Sequence, residues 1–291
     1  MAEKTFEPDF DWSVFEKLGA ANLRPQDALN ELIANSIDSW IEKFTNSNRP
    51  KLKIDIEYER DDGVITIIDN AFGLSMDELI KTTTLGKSDK DKSDERLMGT
   101  FGFGLTVATS SMGGHYEMYS LKRGANNDKV SKIVFPTKKL AEENTTSRPT
   151  SNTLAKSQTP LKNLKHGTAV VISELKKELP NRAALSKHFG YSWKYFLTDE
   201  NNFGKKVEIN FIEGENQKKS IEPLGIEDFV EKASIIDIEI PVSWSENEEP
   251  DAFITGKVGW AKTGGTQDSS SGGINIYRKG QLIRLLDKST D

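Results

Sequence analysis

The segment PQDALNELIANSIDSWI, residues 25–41, restricts the fold more than any other. Leu29, Leu32, Ile33, Ser36, Ile37, Trp40 and Ile41 recur at the spacing of one helical face, and Pro25 suits a first helical turn, where a missing N–H costs nothing. A helix with a core-facing stripe is therefore expected. Its other face has a definite chemistry. Glu31, Asn35 and Asp38 stand at i, i+4 and i+7, which at roughly 100° per residue gathers two carboxylates and an amide within an arc of about 60°. Taken alone, such a face is a solvated one, as on most amphipathic helices.

The flanking segments set the fold class. LKIDIEY (52–58) and GVITIID (63–69) alternate around the turn ERDDG, the pattern of a β-hairpin. Ser75-Met76-Asp77-Glu78 is a capping box that opens a short helix, SMDELIKTT, and a second helix begins near Gly104. GHYEMYSLKR (114–123) and VSKIVF (130–135) read as paired strands, GTAVVISEL (167–175) as a strand returning to the core, and VEINFI (207–212) as another. A helix over 181–198 carries Leu185, Phe189, Trp193, Phe196 and Leu197. Between them, residues of about 136–163 are polar and without period, so a mobile loop or insertion is expected there. A polar stretch over 213–232 marks a change of domain, with further strands in IIDIEIPVSW, AFITGKVGW, GINIYRKG and QLIRLL. The expectation is an α+β chain with a larger domain over 1–215 and a smaller one over 216–291. At 291 residues, two domains is also the default for length.

Composition removes several kinds of chemistry. The chain has no cysteine, which excludes disulfides, thiolate catalysis and thiolate-ligated zinc, and its three histidines (His115, His166, His188) are too scattered for a histidine metal site. No apolar run approaches the roughly 18 residues of a membrane helix. The opening MAEKTFEPDFDW lacks the basic-then-apolar order of a signal peptide, so a cytoplasmic location is expected. A net charge of -6 argues against a broadly basic nucleic-acid surface, leaving a local patch open.

Two further segments carry ligand chemistry. Asp69 closes an apolar strand and opens Asp-Asn-Ala-Phe-Gly-Leu-Ser, in which Gly73 can take positive φ or admit a ligand close to the backbone. A carboxylate there can accept from the exocyclic amine of a purine, or simply cap the backbone amides of the turn. Gly99-Thr100-Phe101-Gly102-Phe103-Gly104-Leu105-Thr106 is a glycine-rich loop running into an apolar helix, whose free amides suit phosphate oxygens. Two familiar phosphate motifs fail on spacing. Gly86-Lys87-Ser88 would need a glycine where Lys81 stands, and Gly102/Gly104 would need one where Val107 stands.

Together these residues resemble the GHKL, or Bergerat-fold, ATPases, which group gyrase, the heat-shock chaperone ATPases, histidine kinases and MutL. The family's Glu-x-x-x-Asn-x-x-Asp matches Glu31, Asn35 and Asp38. Its Asp-x-Gly-x-Gly matches Asp69 with one extra residue before Gly73, its Gly-x-x-Gly-x-Gly matches Gly99, Gly102 and Gly104, and its strand-opening Gly-Thr matches Gly167 and Thr168. The resemblance implies an α/β sandwich, a mixed sheet covered by helices on one face, with ATP and Mg2+ as its cofactors. It implies Glu31 as the general base, Asn35 as the magnesium ligand and Asp69 as acceptor of the adenine amine, with Thr168 and Gly73 nearby. Asp38 would support the adenine side, partly through water. Gly99, Thr100, Phe101, Gly102, Phe103, Gly104 and Leu105 would hold phosphates within a lid over about 84–105, where Lys87 could also reach a phosphate. Departures exist: Ser39-Trp40 follows Asp38 where alanine is usual, and the second glycine of the Asp69 motif is lost at Ser75.

A histidine kinase would carry asparagine in place of Glu31 and a phospho-acceptor histidine upstream, yet no histidine precedes His115, so water is the expected acceptor. GINIYRKGQLIRLL, behind GGTQDSSSGG, resembles the transducer-type domain of MORC, MutL and topoisomerase relatives, making 216–291 a transducer-like α/β domain that is incomplete at its C-terminus. In those relatives a transducer lysine reaches the γ-phosphate; Lys257, Lys262 and Lys279 are the nearby candidates here and none is assigned. The implied activity is a slow ATPase whose lid closure drives N-terminal dimerisation, as the switch module of a larger DNA-transaction or defence protein. Partners would be a second copy, and DNA or a protein engaged through regions outside this chain. The alternatives are a nucleotide-gated clamp with negligible hydrolysis and a chaperone-type ATPase acting on protein clients.

Overall fold

In β1 (Leu52–Glu59), Leu52, Ile54, Ile56 and Tyr58 are buried while the residues between them are not, the period of two that a strand with one covered face requires. The chain reverses through Gly63 into β2 (Val64–Asp69), with Glu59 opposite Val64 and Ile54 opposite Asp69. The computed structural model extends this hairpin into a mixed sheet; it describes residues 11, 13–19, 23–44, 49–84, 97–98, 104–125, 128–143, 148–198, 207–214, 218–225, 234–243, 250, 252–259, 274–278 and 281–287. The further strands are β3 (Gly113–Leu121), β4 (Lys129–Phe135), β5 (Thr150–Ala155), β6 (Gly167–Leu175), β7 (Val207–Glu213) and β8 (Lys218–Ser220). Their order across the sheet is β5-β4-β3-β6-β2-β1-β7-β8, antiparallel throughout except for β1 beside β7.

One face of the sheet carries the helices α1 (Val14–Gly19), α2 (Pro25–Lys43), α4 (Gly104–Met112), α6 (Arg182–Ser192) and α7 (Lys194–Leu197). Leu29, Ile33, Ile37 and Ile41 of α2 join Ile54, Ile65, Met118 and Phe211 of the sheet in the principal core. The buried Arg49 closes the C-terminal end of α2: its Nη2 donates to the carbonyls of Ile41 (3.0 Å) and Phe44 (2.9 Å), and its guanidinium lies over the Trp40 ring. This pairs a cation with the negative end of the helix dipole and satisfies terminal carbonyls. The expected single helix over 181–198 is broken at Trp193, whose ψ of 17° lies off the helical value. Among the described residues no helix is long and apolar enough to cross a membrane.

The opposite face holds a smaller cluster of Tyr119, Leu121, Val130, Leu161 and Ala169. Here the structure departs from the sequence reading. The polar stretch expected as a mobile loop or insertion contains α5 (Thr137–Glu142) and the edge strand β5, and its Leu161 is buried under the sheet. Apart from the half-buried Leu154 this edge strand is exposed, so TSNTLA has little reason to alternate.

Helix α3 (Met76–Lys81) begins with the expected capping box. Ser75 Oγ accepts from the Glu78 amide, and the Glu78 carboxylate accepts from the Ser75 amide at 2.7 Å. Partial burial would raise the Glu78 pKa, but hydrogen bonds from Lys122 and from the Ser75 amide and hydroxyl outweigh it and hold the carboxyl at about 2. Lys122 thereby ties α3 to the end of β3.

Beyond residue 216, β8 pairs with β7 in the large sheet. β9 (Ile236–Val242) pairs with β10 (Ala252–Val258), and β11 (Ile274–Arg278) with β12 (Gln281–Asp287). Tyr277 of β11 reaches back to α6 and α7: its hydroxyl donates to the Tyr191 carbonyl of α6 at 3.1 Å, and its ring meets Tyr195 of α7 edge-on.

Candidate functional site

The end of β2 delivers Asp69 into the gap between α2 and β6, where Thr168 is its register partner. The carboxylate is buried and has three protein donors. Oδ1 accepts from the amides of Ala71 (2.9 Å) and Thr168 (3.2 Å), and Oδ2 accepts from the Ser36 hydroxyl (2.7 Å). Burial raises the pKa of Asp69, while the bonds from Ser36, Ala71 and Thr168 and the nearby His166 oppose that rise. An ionised carboxylate has about four acceptor positions. Three are filled from within the protein, and the remaining one on Oδ2 suits a ligand N–H.

The turn after Asp69 is clamped from two sides. His166 Nδ1 lies 2.6 Å from the Ala71 carbonyl, which can only accept, so that ring nitrogen carries the proton. The Leu74 amide donates to Ser120 Oγ at 2.7 Å, and the same oxygen lies 3.2 Å from Thr168 Oγ1. Gly73 passes so close to β3 that a β-carbon would lie 2.1 Å from the Leu121 carbonyl oxygen, and its φ is +71°. Only glycine meets both conditions. Beside the turn, Phe44 meets Phe72 edge-on and the Arg123 guanidinium lies over the Phe44 ring.

The other end of the site is built on the same helix. Glu31 and Asn35 are half-buried on α2, and the Glu31 carboxylate stands against Gly104, the first residue of α4, with Leu105 half-buried behind it. A β-carbon on Gly104 would lie 2.6 Å from Glu31 Oε2. The first and third sequence motifs thus meet. Asp38, expected on the adenine side, is fully buried with Oδ1 accepting from the Met98 amide at 2.8 Å. That oxygen anchors the chain at Met98, within the expected lid. Lys87, Gly99, Thr100, Phe101, Gly102 and Phe103 lie outside the described residues.

Sequence reasoning missed Ser36, Ser120, His166 and Met98 as parts of this site. Ser36 carried a readable signal: a hydroxyl on the apolar stripe of α2 must find a buried partner. The contacts of Met98 and Ser120 join residues far apart in the chain and leave no local pattern.

A substitution at Gly104 separates fold from chemistry. In Gly104→Ala the new methyl displaces only the end of the flexible Glu31 side chain, and alanine is the better helix former. The thermal midpoint should be unchanged or slightly raised, while any ATP turnover that uses Glu31 as the general base the resemblance implies should fall by roughly tenfold or more, as when a reacting group is moved. Calorimetry and phosphate release measure the two; full turnover would show that the Glu31 position is immaterial.

A family model described as histidine kinase-, DNA gyrase B-, and HSP90-like ATPase matches residues 23–168, the span from the approach to α2 to the start of β6. No curated protein matches the chain.

Proposed function

The chain belongs to the histidine kinase-, DNA gyrase B- and HSP90-like ATPase family, and from that premise we propose that it binds Mg-ATP and hydrolyses it to switch between open and dimeric states. The observation that supports this reading is that one helix touches both candidate motifs, through Ser36 at Asp69 and through Glu31 at Gly104. Ser36 of α2 grips Asp69 at the base-recognition end, while Glu31, about 7.5 Å away along the helix axis, stands over Gly104 at the phosphate end.

In this reading Asp69 accepts from the adenine amine through its remaining Oδ2 position, with Thr168 and Gly73 beside it. Glu31 orients the attacking water and takes its proton. Asn35, one turn on from Glu31, offers an amide oxygen to Mg2+. Among the described residues no group of three or more histidine, aspartate or glutamate side chains is placed to hold a metal, and this fits a magnesium ion held mainly by phosphates and water rather than by a protein cage. When bound, the metal supplies neutralisation of phosphate charge, which with positioning is most of what phosphoryl transfer requires.

The segment of about 84–105 would act as the lid, fixed at its C-terminal side by the Asp38–Met98 bond. Lys87 and the Gly99–Gly104 loop would complete the phosphate contacts. The transducer-like unit expected over 216–291 would begin only after β8, which pairs in the large sheet, and would be of the MORC and MutL type; the whole would serve in the cytoplasm as the switch of a DNA-transaction or defence protein. Light scattering and phosphate release test the proposal together. A doubling of mass with Mg2+ and a non-hydrolysable ATP analogue, and steady phosphate release with ATP that chelation of Mg2+ stops, are the expected results. A constant mass would remove the dimeric switch, and release no faster than in a protein-free blank would remove hydrolysis.

A further inference from the structure

Helix α2 packs on α6 across a seam that holds a buried amide, Asn30. Asn30 immediately precedes Glu31, and its side chain makes three hydrogen bonds to α6 and the residue ending it. Oδ1 accepts from Trp193 Nε1 at 2.9 Å; Nδ2 lies 2.9 Å from His188 Nε2 and donates to Ser192 Oγ at 3.2 Å. The indole N–H can only donate, so the oxygen of the Asn30 amide must face Trp193 and its NH2 must face His188. His188 Nε2 is therefore an acceptor, and the ring is neutral with its proton on Nδ1.

Apolar packing is non-directional and tolerates small rotations of a helix about its axis. Three bonds to one amide do not, because hydrogen bonds weaken steeply off their preferred distances and angles. We infer that Asn30 is a positioning residue that holds the Glu31 turn of α2 in rotational register against α6, and that this lock requires an unprotonated His188. The inference rests on the hydrolytic role proposed for Glu31. Protonation would set an N–H of the ring against the Asn30 NH2 and draw the ring toward Asp27, whose Oδ1 lies 3.8 Å from Nε2. The charged groups acting on the ring are Asp27 and Arg24, which are themselves paired at 2.7 Å. Burial holds His188 below the usual histidine range, with Asp27 opposing and Arg24 adding to that shift. The lock is thus intact at neutral pH and opens on the acid side.

The test is ATP turnover and ATP affinity across pH for the full chain and for Asn30→Ala, His188→Phe, His188→Gln and Glu31→Ala. Glutamine at 188 offers an oxygen that accepts from Asn30 at any pH, and phenylalanine offers none. Asn30→Ala and His188→Phe should lower kcat at least about tenfold with affinity held within about threefold, the signature of a misplaced reacting group rather than a lost binding contact. Wild-type kcat should fall along the His188 titration followed by NMR, and His188→Gln should lose that limb. An unchanged acid limb in His188→Gln, or equal losses of kcat and affinity in Asn30→Ala, overturns the inference; if Asn30→Ala does not fold, the two His188 variants decide it. An inactive Glu31→Ala beside a full-rate Asn30→Ala sinks the lock alone, whereas Glu31→Ala at the wild-type rate sinks the hydrolytic reading and the lock with it.

Discussion

Replacing Glu31 with alanine should lower ATP turnover by about a thousandfold while leaving ATP affinity nearly unchanged. The size follows from the role. A positioned general base contributes on the order of 10²–10⁴ in rate, and a thousandfold corresponds to roughly 4 kcal/mol of lost transition-state stabilisation. The split between rate and binding follows from the site's geometry. Glu31 stands against Gly104, whereas base recognition is assigned to Asp69, which is held by Ser36, Ala71 and Thr168. Isothermal titration with ATP and single-turnover phosphate release separate the two quantities. Turnover at the wild-type rate would show that Glu31 is not the base, and affinity lost in step with turnover would show that its carboxylate serves binding instead. Glu31→Gln sharpens the result, since it keeps the size and shape of the side chain beside Gly104 but cannot take a proton.

The same geometry explains what could be read from the sequence. The stripe of α2, the β1–β2 hairpin, the Ser75–Glu78 box and the start of α4 at Gly104 all depend on neighbours within a few residues, so period and turn chemistry reveal them. The candidate residues Glu31, Asn35, Asp69 and Thr168 were legible for the same reason, as motifs on those elements. What stayed hidden is decided by partners distant in the chain. Asp38, expected on the adenine side, has a partner that no local pattern reveals, since its Oδ1 accepts from the Met98 amide. Asn30 belongs to none of the sequence motifs, and three donors and acceptors on and beside α6 define it. The edge strand β5 is exposed apart from Leu154, so it carries almost no alternation to read. Trp193 ends α6 inside a stretch whose apolar spacing runs on past it, since its indole is drawn to Asn30.

In Asp69→Asn the fold should survive and ATP affinity should fall by at least about thirtyfold. The asparagine oxygen can keep the amides of Ala71 and Thr168, because both donate to the single atom Oδ1. The new NH2 then takes the place of Oδ2, where the Ser36 hydroxyl can rotate from donor to acceptor. Nothing of the kind is open to a bound adenine, whose amine would face a second donor at the one position the protein leaves for it. A buried donor left without an acceptor costs about 2 kcal/mol, which is roughly thirtyfold in affinity. The substitution also removes a carboxylate whose pKa burial raises, so the folded state gives up the cost of burying that charge, and the unfolding midpoint at neutral pH should not fall. Guanine carries an acceptor oxygen where adenine has its amine, so the ratio of ATP to GTP affinity should drop further than ATP affinity alone requires. Titrations with both nucleotides, alongside a thermal melt, read every part of this. Undiminished ATP binding by a folded Asp69→Asn would remove Asp69 from base recognition and return its carboxylate to the simpler duty of closing the β2 turn.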